Sequence, residues 1–175
     1  MTNDGSPSTP FSWLDYESQH AIDEINRHAR WGDTFPRDPA EVVPLVLPIM
    51  LVPIANLRPN SANHWLMSRG REQRFEQDNR PLHGCLLGFR EYGFVFIDAN
   101  DSAEDRRFTI AHETGHFLLD HYIPRQRAVE RFGPSIREVL DELRRPTIVE
   151  SFKSVLTGIP IGQYIDLMER KPGGV

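Results

Sequence analysis

His112, Glu113 and His116 fall in one short run, Phe108-Thr109-Ile110-Ala111-His112-Glu113-Thr114-Gly115-His116-Phe117-Leu118-Leu119, and their types and spacing specify a chemistry. At 3.6 residues per helical turn the two histidines lie one turn apart on the same face, so both imidazoles can reach one metal ion. Glu113 then points beside that ion. A carboxylate there can take the proton of a metal-bound water, whose pKa a Zn2+ ion lowers to about 7. This H-E-x-x-H pattern is the signature of zinc-dependent peptide hydrolysis.

Such a pattern arises by chance in roughly one chain of this size in fifty, so its setting matters. Phe108, Ile110, Ala111, Phe117, Leu118 and Leu119 predict a helix buried on more than one side. Two histidines and a glutamate are costly in such a place unless they have partners, and a metal ion shared by the imidazoles is one. The bland alternative is a structural helix whose histidines bond to backbone or water.

The elements that must position this helix are legible around it. Gly84 to Phe89 and Phe94 to Ile97 are apolar and joined by Arg90-Glu91-Tyr92-Gly93, which predicts a β-hairpin with Gly93 at the special turn position. Asp101-Ser102 and Asp105 supply an N-cap and an acidic first turn, so the metal helix should start near Ser102 and end at about His121 or Tyr122, closed by Pro124. Upstream, Trp13, Tyr16, Ala21, Ile22 and Ile25 predict an amphipathic helix over about 12–30. A short helix should begin near Asp38-Pro39, and Leu45 to Ile54 should run as a strand that its prolines make irregular or an edge. Arg58 to Pro81 is polar and reads as a surface loop or lid. Shorter helices are expected over about 126–132, 135–144 and 147–157, with a last one after Pro160.

The 175 residues suit one domain, spanning 12–170 between an N-terminal tail (1–11) and a short C-terminal tail (171–175). A formal charge of −5 and a pI near 5.8 argue against a phosphate-binding face. The clusters Arg69, Arg71, Arg74 and Arg125, Arg127, Arg131 have acidic neighbours and read as solvated surface. The single Cys85 excludes an internal disulfide, fits a reducing, cytoplasmic setting, and beside Leu86-Leu87 reads as a small buried hydrophobe. Neither a secretory signal nor a membrane span is visible, since the longest uncharged run, Val42 to Leu57, is short and carries three prolines.

A catalytic zinc commonly takes three protein ligands. Leu119 and Tyr122 occupy the positions where metzincins carry glycine and histidine, which disfavours that class. Asp120 and His121 lie four and five residues past His116. His121 can approach the site from the helix end, although a solvent-facing histidine of the last turn is the commoner role, and the remaining choice is a carboxylate from the following helices, Glu130, Glu138, Asp141, Glu142 or Glu150. Tyr122, His121 and His83 are candidates for an oxyanion donor.

The run Arg107-Phe108-Thr109-Ile110-Ala111-His112-Glu113-Thr114-Gly115-His116, with its hairpin, resembles the ImmA/IrrE family of zinc metallopeptidases, over about 12–165 and most closely over about 84–121. The resemblance implies an α+β fold in which a small antiparallel or mixed sheet packs against a zinc-binding helix and several further helices, a gluzincin-like minimal metallopeptidase. It implies Glu150 as third ligand, because Val149-Glu150-Ser151-Phe152 followed by Gly158-Ile159-Pro160 matches the family's later glutamate helix in outline. It also implies a partner: a protein substrate of the DNA-binding repressor kind, with no direct nucleic-acid binding. The alternative is a protein that sequesters a repressor or toxin without cutting it.

Overall fold

The computed structural model describes residues 23, 37–72, 75 and 79–161, and the backbone of 167–170. Of the helix expected over 12–30 only Asp23, helical and exposed, is described; the rest of it and both tails lie outside the described residues.

Helix α1 (Pro39–Val46) begins where the Asp38 carboxylate accepts the Ala40 N–H, with Pro39 in the first turn, where a missing N–H costs nothing. It runs through Leu45 and Val46, so the following strand β1 is shorter than expected, Ile49–Ile54. Pro53 is tolerated there because β1 is an edge strand. The polar stretch read as a loop contains helix α2 (Pro59–Met67). Its Asn63 is buried, donating to the Phe75 carbonyl and accepting the Phe75 N–H, so one amide side chain pins the segment beyond the helix as a neighbouring strand would.

Strands β2 (Gly84–Phe89) and β3 (Tyr92–Asp98) form the expected hairpin. Its turn is the pair Arg90-Glu91, with Arg90 at φ 56, a left-handed backbone that glycine or asparagine more often adopts. Gly93 is inside β3, not in the turn. β1 joins β3 in parallel, and β4 (Leu167–Arg170) pairs antiparallel with the outer edge of β2, giving a mixed four-stranded sheet in the order β1-β3-β2-β4. The helix expected after Pro160 is therefore replaced, over 167–170, by this strand. One sheet face packs on α2 through Val52, Leu66, Cys85, Leu87 and Phe96; the other packs on the metal helix through Ile49, Leu86, Val95, Ile110 and Phe117. The fold class is thus α+β.

Helix α3 (Ala103–His116) starts as expected, the Ser102 hydroxyl accepting the Asp105 N–H. It does not end at Tyr122. The turn Phe117–Tyr122 widens into a π-helix, in which the Ile123 N–H reaches back five residues to the Leu118 carbonyl, and α4 (Ile123–Phe132) continues to Gly133. The wide turn explains Pro124: a proline in an α-helix clashes with the carbonyl four residues back, and the π register relieves that crowding. A 3-10 turn (Pro134–Ile136) and α5 (Arg137–Leu140) replace the longer helix expected over 135–144. Helix α6 (Ile148–Thr157) follows from a Thr147–Glu150 capping box and ends at Gly158, φ 66.

Candidate metal centre

Three glycines set the contact between α3 and the hairpin. A Cβ on Gly84 would lie 2.3 Å from Thr109 Cγ2 and 3.6 Å from Glu113 Cγ; on Gly93, 2.7 Å from Phe117 Cδ2; on Gly88, 2.5 Å from His121 Nδ1. Residues 109, 113, 117 and 121 recur every fourth position, so the glycines form a trough in which one stripe of the helix lies directly on sheet backbone. Glu113, at the middle of that stripe, is 1% exposed.

His112 and His116 stand on the flank of the helix beside this stripe, on its solvent side. Their Nε2 atoms are 3.2 Å apart and their rings meet edge to face. Two nitrogens each 2.0–2.1 Å from a tetrahedral zinc would be about 3.3 Å apart, so the spacing fits a shared metal. His116 Nδ1 lies 2.7 Å from Asp120 Oδ2. The carboxylate accepts the Nδ1 proton, which leaves the Nε2 lone pair facing His112, the tautomer a metal ligand needs. Phe108 stacks on His112 at 6.0 Å between ring centres.

The remaining residues singled out from the sequence are placed elsewhere. Glu150 closes its own helix cap: Arg144 Nη1 and Nη2 donate to its two oxygens at 2.9 and 2.7 Å, and the Thr147 N–H and hydroxyl donate to Oε2. The Arg144 guanidinium and then the Thr147 bonds lower its pKa from the usual 4.5 to about 2. Glu138 also pairs with Arg144, and Asp141 with Arg125, whose guanidinium is buried rather than on a solvated face. Among the described residues no three of His, Cys, Asp and Glu converge as a metal-binding group. His121 is not the solvent-facing side chain expected. It is 1% exposed, and its Nε2–H donates to the Arg90 carbonyl at 2.8 Å, tying the hairpin turn to the helix. Tyr122 stacks on Phe117 against the core, and His83 pairs with Asp101 at 2.8 Å. Cys85 is a buried free thiol that packs in the core; desolvation, then the Glu113 carboxylate, raises its pKa.

Asp120 is a residue beside the histidines to which the sequence reading assigned no role. Its i,i+4 spacing from His116 was the available sign of an orienting role.

A small α+β fold that seats an H-E-x-x-H helix on its sheet defines a metallopeptidase-like class. Residues 70–142 match the family model described as IrrE N-terminal-like domain, of the M78 peptidases, and over that segment the chain is similar to this family. The matched segment holds the hairpin, His112, Glu113, His116 and Asp120, and ends before Glu150. No curated protein and no solved structure matches the chain.

Proposed function

We propose that the protein is a zinc-dependent endopeptidase acting on a protein partner, a transcriptional repressor being the substrate class the family resemblance suggests. The observation that carries this reading is the 3.2 Å approach of two histidine Nε2 atoms beside the buried Glu113. His112 and His116 would hold the ion, with Asp120 fixing the tautomer of His116. When bound, zinc polarises the scissile carbonyl and acidifies water. Glu113 takes a proton from the attacking water and returns it to the departing amine, as a general base and then a general acid. Its position in the glycine trough holds that carboxylate still, which is what such a relay requires. Glu150 could complete the ligand set only by leaving Arg144 and Thr147.

Glu113→Gln tests the mechanism. Cleavage of a candidate repressor should fall by about 10²–10⁴-fold while zinc content, read by elemental analysis, stays at the wild-type level. Full activity in that variant would sink the assignment. The absence of a converged third ligand among the described residues favours a second reading, a protein that sequesters its partner without cutting it. That protein would inactivate the repressor equally well with Gln at 113.

A further inference from the structure

The helix flanks can be related to the strand order. Ile110, Phe117 and Leu118 pack with Val43 of α1 and Ile49 of β1, so that flank of α3 faces the β1 edge of the sheet. Phe108, His112 and His116 lie on the other flank, at 3.6 residues per turn, and so look toward the opposite edge. Across β1-β3-β2-β4 that edge is β4, which is in contact with α3.

The direction and level of β4 follow as well. Gly84 lies under Thr109 and Glu113 and Gly88 under His121, so α3 and β2 run in the same sense. β4 is antiparallel to β2, with Arg170 opposite Gly84, Met168 opposite Leu86 and Leu167 opposite Leu87. Its main chain therefore runs past the histidine flank, and Arg170 is level with Glu113. Without β4, the outer edge of β2 would present the unpaired N–H and C=O groups of Gly84 to Leu87, a template for any extended polypeptide.

We propose that this edge of β2 is the binding site for an extended polypeptide substrate, and that the chain's own residues 167–170 fill it in cis as a displaceable strap. The inference rests on the peptidase reading for the role of the bound polypeptide, but the edge itself is tested without catalysis. Main-chain pairing carries most of such an interaction and is indifferent to sequence, so a foreign strand competes with β4 on nearly equal terms once the strap opens. The protein would then be held closed until a partner removes the strap, and apparent affinity would fall by the fraction of time it is open.

Cys85, opposite Glu169, provides the lock. In the full-length Glu169→Cys variant, mild oxidation should join the two thiols across the strand pair. In a second full-length variant, Met168→Pro with Glu169→Pro removes strand N–H donors and should release the strap. The probe is a fluorescein-labelled peptide copying residues 164–173, its binding read by anisotropy in both proteins carrying Glu113→Gln. The double-proline protein should bind it at least about tenfold more tightly than the unmodified strap. The oxidised protein should not bind it, and reduction should restore binding in the same sample. Equal binding by the released protein and by the protein with its strap in place, whether or not the disulfide has formed, would overturn the proposal. With Glu113 restored and zinc supplied, labelled β-casein separates the two readings. Peptide binding in the expected order with casein uncut in every variant would leave the edge site standing and remove only a peptidase of broad specificity, the selective one being tested on its repressor.

Discussion

Helix α3 buries Thr109 and Glu113 against the sheet and buries Thr114 as well, and its π continuation buries His121. Helix α6 buries none of its residues and leaves Ile148, Val149, Phe152, Val155 and Leu156 between 65% and 89% exposed. Polar groups inside and apolar groups outside are each costly, so each marks a place where something other than folding shapes the sequence. α3 is held by close packing along a glycine trough. α6 is held at its start by local polar bonds, the Thr147–Glu150 box and the Arg144 fork, and by Lys153 donating to the Arg131 carbonyl. The first arrangement holds its polar side chains in close packing; the second ties a helix to the molecule without committing its apolar face.

The sharpest way to break this contrast is to fill the trough. Gly88→Ala would set a methyl within 2.5 Å of the buried His121 ring, whose bond to Arg90 leaves it nowhere to go. A loss of about 2–3 kcal/mol is expected, seen as a drop in Tm of roughly 5–10 °C. At the end of α6, Gly158→Ala meets nothing within 4 Å and suffers only the left-handed backbone at φ 66, about 1 kcal/mol. Equal losses at the two glycines would mean that the helix–sheet contact is no tighter than a solvent-exposed cap.

Asp120 comes next. Asp120→Ala should weaken zinc binding by about 10–100-fold in a chelator competition, with Asp120→Asn recovering part of the loss because it still accepts from Nδ1. An apo-protein Tm within about 2 °C of wild type would separate orientation of His116 from a structural role. Unchanged zinc affinity in Asp120→Ala would remove Asp120 from the site.

The same two helices show where sequence reading succeeds. The helix that carries His112, Glu113 and His116 was legible because residue types recur at fixed helical spacing, and the hairpin because its apolar runs flank a turn. The extent of the helix was not, since Pro124 signals a stop and only a π turn, set by tertiary packing, lets the chain pass. α2 was hidden by Asn60, Ser61 and Asn63, turn-favouring residues that here serve the helix start and a buried clasp on Phe75. Glu150 shows the opposite failure: a glutamate three residues after a threonine is both a possible ligand and a capping box, and the pattern alone does not separate them. The glycines at 84, 88 and 93 were visible, but their function, close approach of a helix, exists only once the register of β2 and β3 is known.

Glu150 gives a smaller effect with a distinctive pH signature. Its carboxyl pKa is lowered on folding, so the stability it contributes is complete above about 4.5 and disappears as pH falls through about 2. Glu150→Gln should therefore lower Tm near neutral pH, and the gap to wild type should close between pH 4.5 and 2. The cap itself is worth about 1 kcal/mol. Zinc content should be unaltered in Glu150→Ala if the carboxylate stays with Arg144 and Thr147, and loss of zinc there would assign it to the metal instead.

The smallest expected effect tests the other half of the contrast. Phe152 and Val155 stand 65% and 81% exposed, so replacing both with serine removes little buried area. Stability should change by no more than about 0.5 kcal/mol, because surface substitutions away from packed features rarely do more. A loss of several kcal/mol would show that this face is covered, and gel filtration would then separate the two kinds of cover. A shift to smaller size in the variant would identify another molecule, since only an intermolecular contact changes the mass in solution. Loss of stability with no change in size would instead place a segment of the same chain against α6, and would make that helix, like α3, a packed element whose apolar stripe has a fixed partner.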